Sequence, residues 1–159
     1  MKRKIAFMLV FLALGGGAAY SETKPTSKYE LAAFVERAVN YARVNGKATA
    51  LREFMNPNGQ FVKGELYIFA YDFQGTVLAN GGQPELVWKN LIDMKDGNGV
   101  EVIKQLIKLA QQGGGWLRYL WPNPAHNNKI ESKLSNVMKV DDSWFLGSGI
   151  YDSSKTSEK

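Results

Sequence analysis

Leu66-Tyr-Ile-Phe-Ala-Tyr-Asp-Phe73 is a run of β-forming residues, and Gln74-Gly75 followed by Thr76-Val-Leu-Ala-Asn80 turns it into a hairpin. Asp72 and Gly75 supply the turn chemistry between the two strands. Side chains alternate across a strand, so Leu66, Ile68 and Ala70 share one face while Tyr67, Phe69, Tyr71 and Phe73 share the other. The aliphatic face is smooth enough for a helix to pack closely. The aromatic face offers ring surfaces and two hydroxyls, a mixture suited to enclosing a small molecule and fixing its orientation. A plain aromatic core has the same pattern. The two tyrosines favour a site, because a buried hydroxyl needs a partner.

Outward from this hairpin, Leu31, Phe34, Val35, Ala38, Val39 and Ala42 recur at helical spacing, and Val44, Ala48, Leu51 and Met55 carry the pattern past Gly46. One long helix beginning near Pro25, bent at Gly46, is expected to end at Asn56-Pro57-Asn58-Gly59. On the other side, residues 81 to 97 hold Gly, Pro, Asn and Asp without periodicity and read as a long irregular segment with one helical turn near Glu85 to Val87. Long ordered loops in compact domains often carry function. Asn98, with Glu101 three positions on, is expected to cap a helix whose stripe is Val102, Ile103, Leu106, Ile107 and Ala110, stopped by Gly113-Gly-Gly115. Three further strands follow at Trp116 to Trp121, Lys133 to Val140 and Trp144 to Tyr151. This order predicts an α+β fold, a five-stranded antiparallel sheet with helices on its faces.

The chain has 159 residues, 45% of them hydrophobic and 12% aromatic, which is one domain of globular composition. Residues 1 to 21 have the layout of a secretory signal peptide: Lys2-Arg-Lys4, the apolar run Ile5 to Leu14, then small residues with Ala19 and Ser21 at a peptidase site before Glu22. The apolar stretch of about 15 residues falls short of the roughly 20 needed to span a bilayer, so cleavage is favoured over a retained anchor. Either outcome delivers the remainder outside the cytoplasm. Domain organisation is then a signal peptide (1–21), a single domain (22–151) and a polar, disordered tail (152–159). The net charge of +5 falls to +2 once the three basic residues of the export segment are removed, leaving 17 Lys and Arg against 15 Asp and Glu. That balance nominates no nucleic acid partner. Zero cysteines exclude a disulfide scaffold, thiolate zinc sites and a cysteine nucleophile.

Trp116-Leu-Arg-Tyr-Leu-Trp121 repeats the aromatic theme, with Leu117, Tyr119 and Trp121 on one face and Trp116, Arg118 and Leu120 on the other. Arg118 is a candidate carboxylate partner through its planar fork, and Lys133 on the next strand is another; a solvent-facing strand residue is the plainer reading of both. His126, the single histidine, falls in a loop where a solvated side chain is the default. No nucleophile elbow, phosphate loop or clustered metal-ligand spacing occurs, so no catalytic set, metal or cofactor is called for. Acids such as Asp93, Asp96, Asp141 and Asp142 are explained by caps and turns.

Taken in order, Tyr67-x-Phe-x-Tyr-Asp-x-x-Gly75-x-Val-Leu, Leu86-Val-Trp-Lys-Asn-Leu-Ile-Asp-Met-Lys-Asp96-x-Asn-Gly99, Gly115-Trp-Leu-Arg-Tyr-Leu-Trp-Pro122-x-Pro, Lys133 and Trp144-Phe-Leu-Gly-Ser-Gly-Ile-Tyr151 resemble the type-2 single Cache domain over nearly the whole mature chain. The resemblance implies an extracytoplasmic PAS-like sensor fold. In it a long N-terminal helix lies on a five-stranded antiparallel sheet, and a small ligand sits between the opposite face and the loop-plus-helix segment. Family members are usually the outer parts of chemoreceptors and histidine kinases, and several recognise small organic acids. Carried over by position, the ligand site would draw on Tyr67, Phe69, Tyr71, Asn90, Asp93, Tyr119, Trp121 and Lys133, with Trp88 entering or flanking the loop and Arg118 as a further basic candidate. Gly147 and Gly149 would keep the last strand open for close approach. Trp88 stands where the family has glycine, Asn136 replaces an aromatic and Asn80-Gly81-Gly82 replaces His-Pro, which implies a pocket of altered shape. The expected function is a secreted, stand-alone module that binds a small polar or anionic metabolite and senses it or presents it to a membrane receptor. Dimerisation along the N-terminal helix is a further implication. The alternatives are a protein-interaction module whose aromatic interior is only core, and an enzyme using Asp93, Asp96 or Lys133 as acid or base.

Overall fold

The computed structural model describes residues 27–152. The export segment and all but the first residue of the polar tail lie outside the described residues. The helical stripe at the start folds into α1 (Lys28–Asn45) and α2 (Lys47–Phe54). Ser27 opens α1 with a capping box: its hydroxyl accepts the Glu30 N–H at 3.2 Å, and the Glu30 carboxylate accepts the Ser27 N–H at 3.2 Å. Gly46 separates the helices at φ +80, a conformation that side-chain-bearing residues avoid, and this produces the bend.

The remaining elements are β1 (Val62–Lys63), β2 (Leu66–Tyr67), β3 (Phe69–Asp72), β4 (Val77–Asn80), α3 (Val102–Gln111), β5 (Gly114–Asn123), β6 (Lys129–Asp141) and β7 (Trp144–Asp152), with short 3-10 turns at Pro84–Leu86 and Pro124–His126. Five strands form one antiparallel sheet in the order β4-β3-β7-β6-β5. The expected strand from Leu66 to Phe73 divides because its pairing partner changes. Its first two residues pair with β1, the Ile68 N–H bonds to the Phe61 carbonyl, and β3 then enters the large sheet. Side-chain alternation survives the change of partner.

Two apolar layers cover the sheet. Leu31, Phe34, Val35, Ala38, Val39 and Ala42 from α1 pack with Phe54 and Phe61 onto Leu66, Ile68 and Ala70. The α3 stripe Val102, Ile103, Leu106, Ile107 and Ala110 packs on the opposite face, against Tyr67, Phe69, Tyr71, Tyr119 and Trp121. Among the described residues no helix is long and apolar enough to cross a membrane.

Two expectations are corrected here. α3 begins at Val102 without a side-chain cap, because the Asp96 carboxylate takes the backbone N–H groups of Asn98 and Val100 at 2.9 Å and closes a separate turn before the helix starts. Asn98 is part of that turn. Asp152 pairs with Ser132 as the last residue of β7, so this residue belongs to the sheet and not to the expected polar tail.

Candidate functional site

Register places the site. Lys133 on β6 lies opposite Tyr119 on β5 and opposite Tyr151 on β7, and Phe69 on β3 lies opposite Gly147 on β7. Alternation then points Tyr67, Phe69, Tyr71, Tyr119, Trp121 and Lys133 to the α3 side, where they line an enclosed cavity of about 10 Å³ with Asn80, Val102, Ile103 and Leu106. By that measure the cavity has room for about one water molecule.

Lys133 is 1% exposed and forms no salt bridge among the described residues. Its Nζ donates to the Tyr67 hydroxyl at 2.8 Å and lies 4.1 Å from the Tyr67 ring centroid, 4.8 Å from that of Tyr151 and 5.4 Å from that of Phe69. The rings offer a cation partial compensation through their faces. Burial pushes the ammonium well below the ordinary lysine value, with no carboxylate to oppose it.

The hydroxyl network has a defined direction. Tyr151 donates its one proton to the Pro122 carbonyl at 2.9 Å, so in the 2.9 Å contact between Tyr67 and Tyr151 the donor is Tyr67. Tyr67 therefore accepts from Lys133. An ammonium has three N–H groups, and this arrangement uses one of them. Burial raises the titration of Tyr67, Tyr71, Tyr119 and Tyr151, which keeps the phenols neutral.

Further polar groups border the cavity. The Asn80 Oδ1 accepts from the Gly82 and Gln83 N–H groups at 3.2 and 2.9 Å, which leaves Nδ2 as a donor with no partner among the described residues. The Tyr71 hydroxyl also has no protein partner there, while Tyr119 pairs with the Ser135 hydroxyl at 2.9 Å and the Trp121 indole donates to Gln83 Oε1 at 2.7 Å. Two glycines permit this packing. A Cβ on Gly149 would lie 2.7 Å from Lys133 Cε, and one on Gly82 would lie 2.6 Å from Tyr67 Cδ1.

The other four sequence candidates are placed elsewhere. Trp88 is 73% exposed at φ +70, its N–H and the Lys89 carbonyl both engaged with Val77, so the ring projects to solvent. Asn90 joins the loop to the β3–β4 turn, donating to the Gln74 carbonyl at 2.8 Å and accepting the Ile92 N–H at 3.0 Å. Asp93 is exposed and pairs with Lys104 at 3.1 Å. Arg118 is exposed on the α1 side of the sheet, where it donates to the Ser132 hydroxyl at 3.0 Å. His126 is exposed, as expected for its loop, and its Nδ1 also lies 2.8 Å from the buried Glu131 carboxylate, which accepts from Asn123 at 2.8 Å. Burial opposes the charge of Glu131, but these hydrogen bonds prevail and hold its titration below the usual range.

Asn80 and Tyr151 were not among the sequence candidates. Asn80 closes a strand before Gly81-Gly82, a position that reads as turn chemistry. Tyr151 was legible only through its alternation with Ile150.

Comparison with known proteins fits this arrangement. Residues 32–157 match the family described as single Cache domain 2. The chain belongs to that family. Among curated relatives, this Cache domain is 36% identical to the sensor histidine kinase MctS of Rhizobium johnstonii over 86 residues, 54% of the chain but only 18% of the kinase. Its fold superimposes on a methyl-accepting chemotaxis protein from Vibrio parahaemolyticus with a TM-score of 0.68 at 33% identity, covering 78% of this chain and 87% of that one. A Cache chemosensory domain described for carboxylic acid recognition shares the fold at a TM-score of 0.60 and 21% identity, covering 77% of this chain and 86% of its own. The positions where this Cache domain departs from the family pattern have local explanations. Asn136 donates to the Gly115 carbonyl at 3.1 Å, and Gly81 lets the chain approach the Phe54 carbonyl, 2.7 Å from where a Cβ would sit.

Proposed function

We propose that this domain senses a small organic carboxylate outside the cytoplasm, as the ligand-binding part of a signalling system or as a carrier that presents the ligand to a membrane receptor. The observation that carries the reading is Lys133, a buried lysine with no acidic partner and two N–H groups free for a ligand. A carboxylate is the complement this site lacks: it restores the charge balance and accepts from Lys133, the Tyr71 hydroxyl and the Asn80 amide. Carboxylic acid recognition by a Cache domain of the same fold supports the assignment. No chemical step is required.

The test is a thermal-shift and calorimetric panel on the chain from Glu22 to Lys159, comparing short monocarboxylates with matched amines and neutral alcohols. The expected result is a shift confined to carboxylates and lost in Lys133→Met. Equal shifts with amines, or carboxylate binding that survives Lys133→Met, would sink the reading.

A further inference from the structure

The enclosed cavity has a larger neighbour. An open groove of about 410 Å³ lies beside it, walled by Leu86, Leu91 and Met94 of the long loop, Leu120 and Pro122 of β5 and Ile130 of β6. Ile130 is 43% exposed there. Trp121 lines both spaces, so its indole is the partition between the lysine chamber and this apolar groove. On the groove side its indole donates to Gln83 at 2.7 Å, and on the chamber side it packs edge-on against Tyr119 at 5.8 Å between centroids. Gln83 is itself fixed by the bond from its N–H to Asn80.

We propose that the two cavities form one bipartite site for an amphipathic monocarboxylic acid, whose carboxylate reaches Lys133 and whose apolar chain passes Trp121 to lie in the outer groove. The inference rests on the carboxylate reading above and extends it to the body of the ligand. Two observations carry it. The chamber around Lys133 has space for about one water, too little for a ligand body, and the adjoining space is large and faced with aliphatic side chains. The lysine behind the partition fixes which end enters, because it is buried without a carboxylate partner, whereas the groove is mainly aliphatic and its own lysine, Lys95, lies at its rim 3.9 Å from Glu101. Breaking the Trp121–Gln83 bond opens the way, and an apolar chain lying along the groove replaces water there.

The experiment is calorimetry with acetate, butyrate, hexanoate and octanoate on the wild-type chain and on Ile130→Asp, Trp121→Phe and Lys133→Met. Each methylene that leaves water strengthens binding about fourfold, so affinity rises along the series once the chain passes the partition. Ile130→Asp, at an exposed position outside the chamber, is expected to weaken octanoate at least about tenfold and to leave acetate within about twofold. Trp121→Phe removes the latch donor and keeps a ring, and it is expected to speed octanoate association. Acetate binding with no gain for longer acids overturns the bipartite site and leaves the carboxylate reading intact. Octanoate binding that is indifferent to Ile130→Asp, or that survives Lys133→Met, also overturns it. If no acid binds, both readings fall.

Discussion

Lys133 titrates where its charged form is disfavoured, because burial is opposed by no neighbouring carboxylate. The unfolded chain keeps the ordinary value of 10.5, so the unfolded state binds more protons at any pH between the folded and unfolded values. The stability of the ligand-free domain therefore rises with pH through that window, and below it the lysine's penalty is fully present. Lys133→Met keeps the volume and removes the charge, and the Tyr67 hydroxyl retains Tyr151 as partner. The variant should melt higher than the wild type at neutral pH; a gain of about 1 kcal/mol corresponds to roughly 4 °C. The difference should narrow as the pH approaches 10.5, which urea unfolding at several pH values would check. A residue that only held the core together would give the opposite sign. Tyr67, Phe69 and Tyr71 were legible because strand alternation has an exact period of two. Trp88 was not: its direction depends on a positive φ and on the Val77 ladder, neither of which leaves a mark in the local composition.

The loop between β4 and α3 is ordered by its acids and amides. The Asp96 carboxylate bonds the N–H groups of Asn98 and Val100 with one oxygen and that of Leu120 on β5, at 2.8 Å, with the other. One side chain thus shapes the turn before α3 and ties the loop to the edge strand of the sheet. Asp96→Ala leaves three backbone donors without their acceptor, and a loss of about 2–3 kcal/mol is expected, measured by urea unfolding. Faster hydrogen exchange at the Leu120 amide would locate the damage; unchanged exchange there would mean that other contacts hold the loop. Sequence reading found the loop and the helix that follows it, since apolar periodicity of 3.6 marks a helix over several turns. It misplaced the cap because Asn98 and Glu101 have the spacing of a capping box, while Asp96, two residues earlier, competes for the same backbone groups. The exposure of His126 was legible from its loop, but its pairing with Glu131 was not: the partner lies across a turn, and a glutamate on an edge-adjacent strand gives no local sign of burial.

One sheet with two separate apolar layers divides the protein's tasks between its faces. The α1 layer holds Phe34, Phe54 and Phe61 in edge-to-face contacts at centroid distances of 5.1 to 5.8 Å. The α3 layer contains the lysine chamber and its neutral phenols. Substitutions on opposite faces should therefore affect different measurements, since sites without shared partners act nearly independently. Phe34→Ala opens a void in the first layer and should cost about 3–5 kcal/mol while leaving carboxylate affinity within about twofold at a temperature where the variant is folded. Tyr71→Phe is the converse. Its hydroxyl has no protein partner among the described residues, so removing it should change stability by less than about 1 kcal/mol, yet it deletes a polar group lining the cavity and, on the proposed carboxylate reading, should weaken binding about fivefold to tenfold. Urea unfolding and calorimetry on the two single variants and the double variant would read both quantities. Additive losses would show that the α1 face supports the fold and the α3 face the ligand; strong coupling would mean that the sheet transmits the packing of one layer to the other.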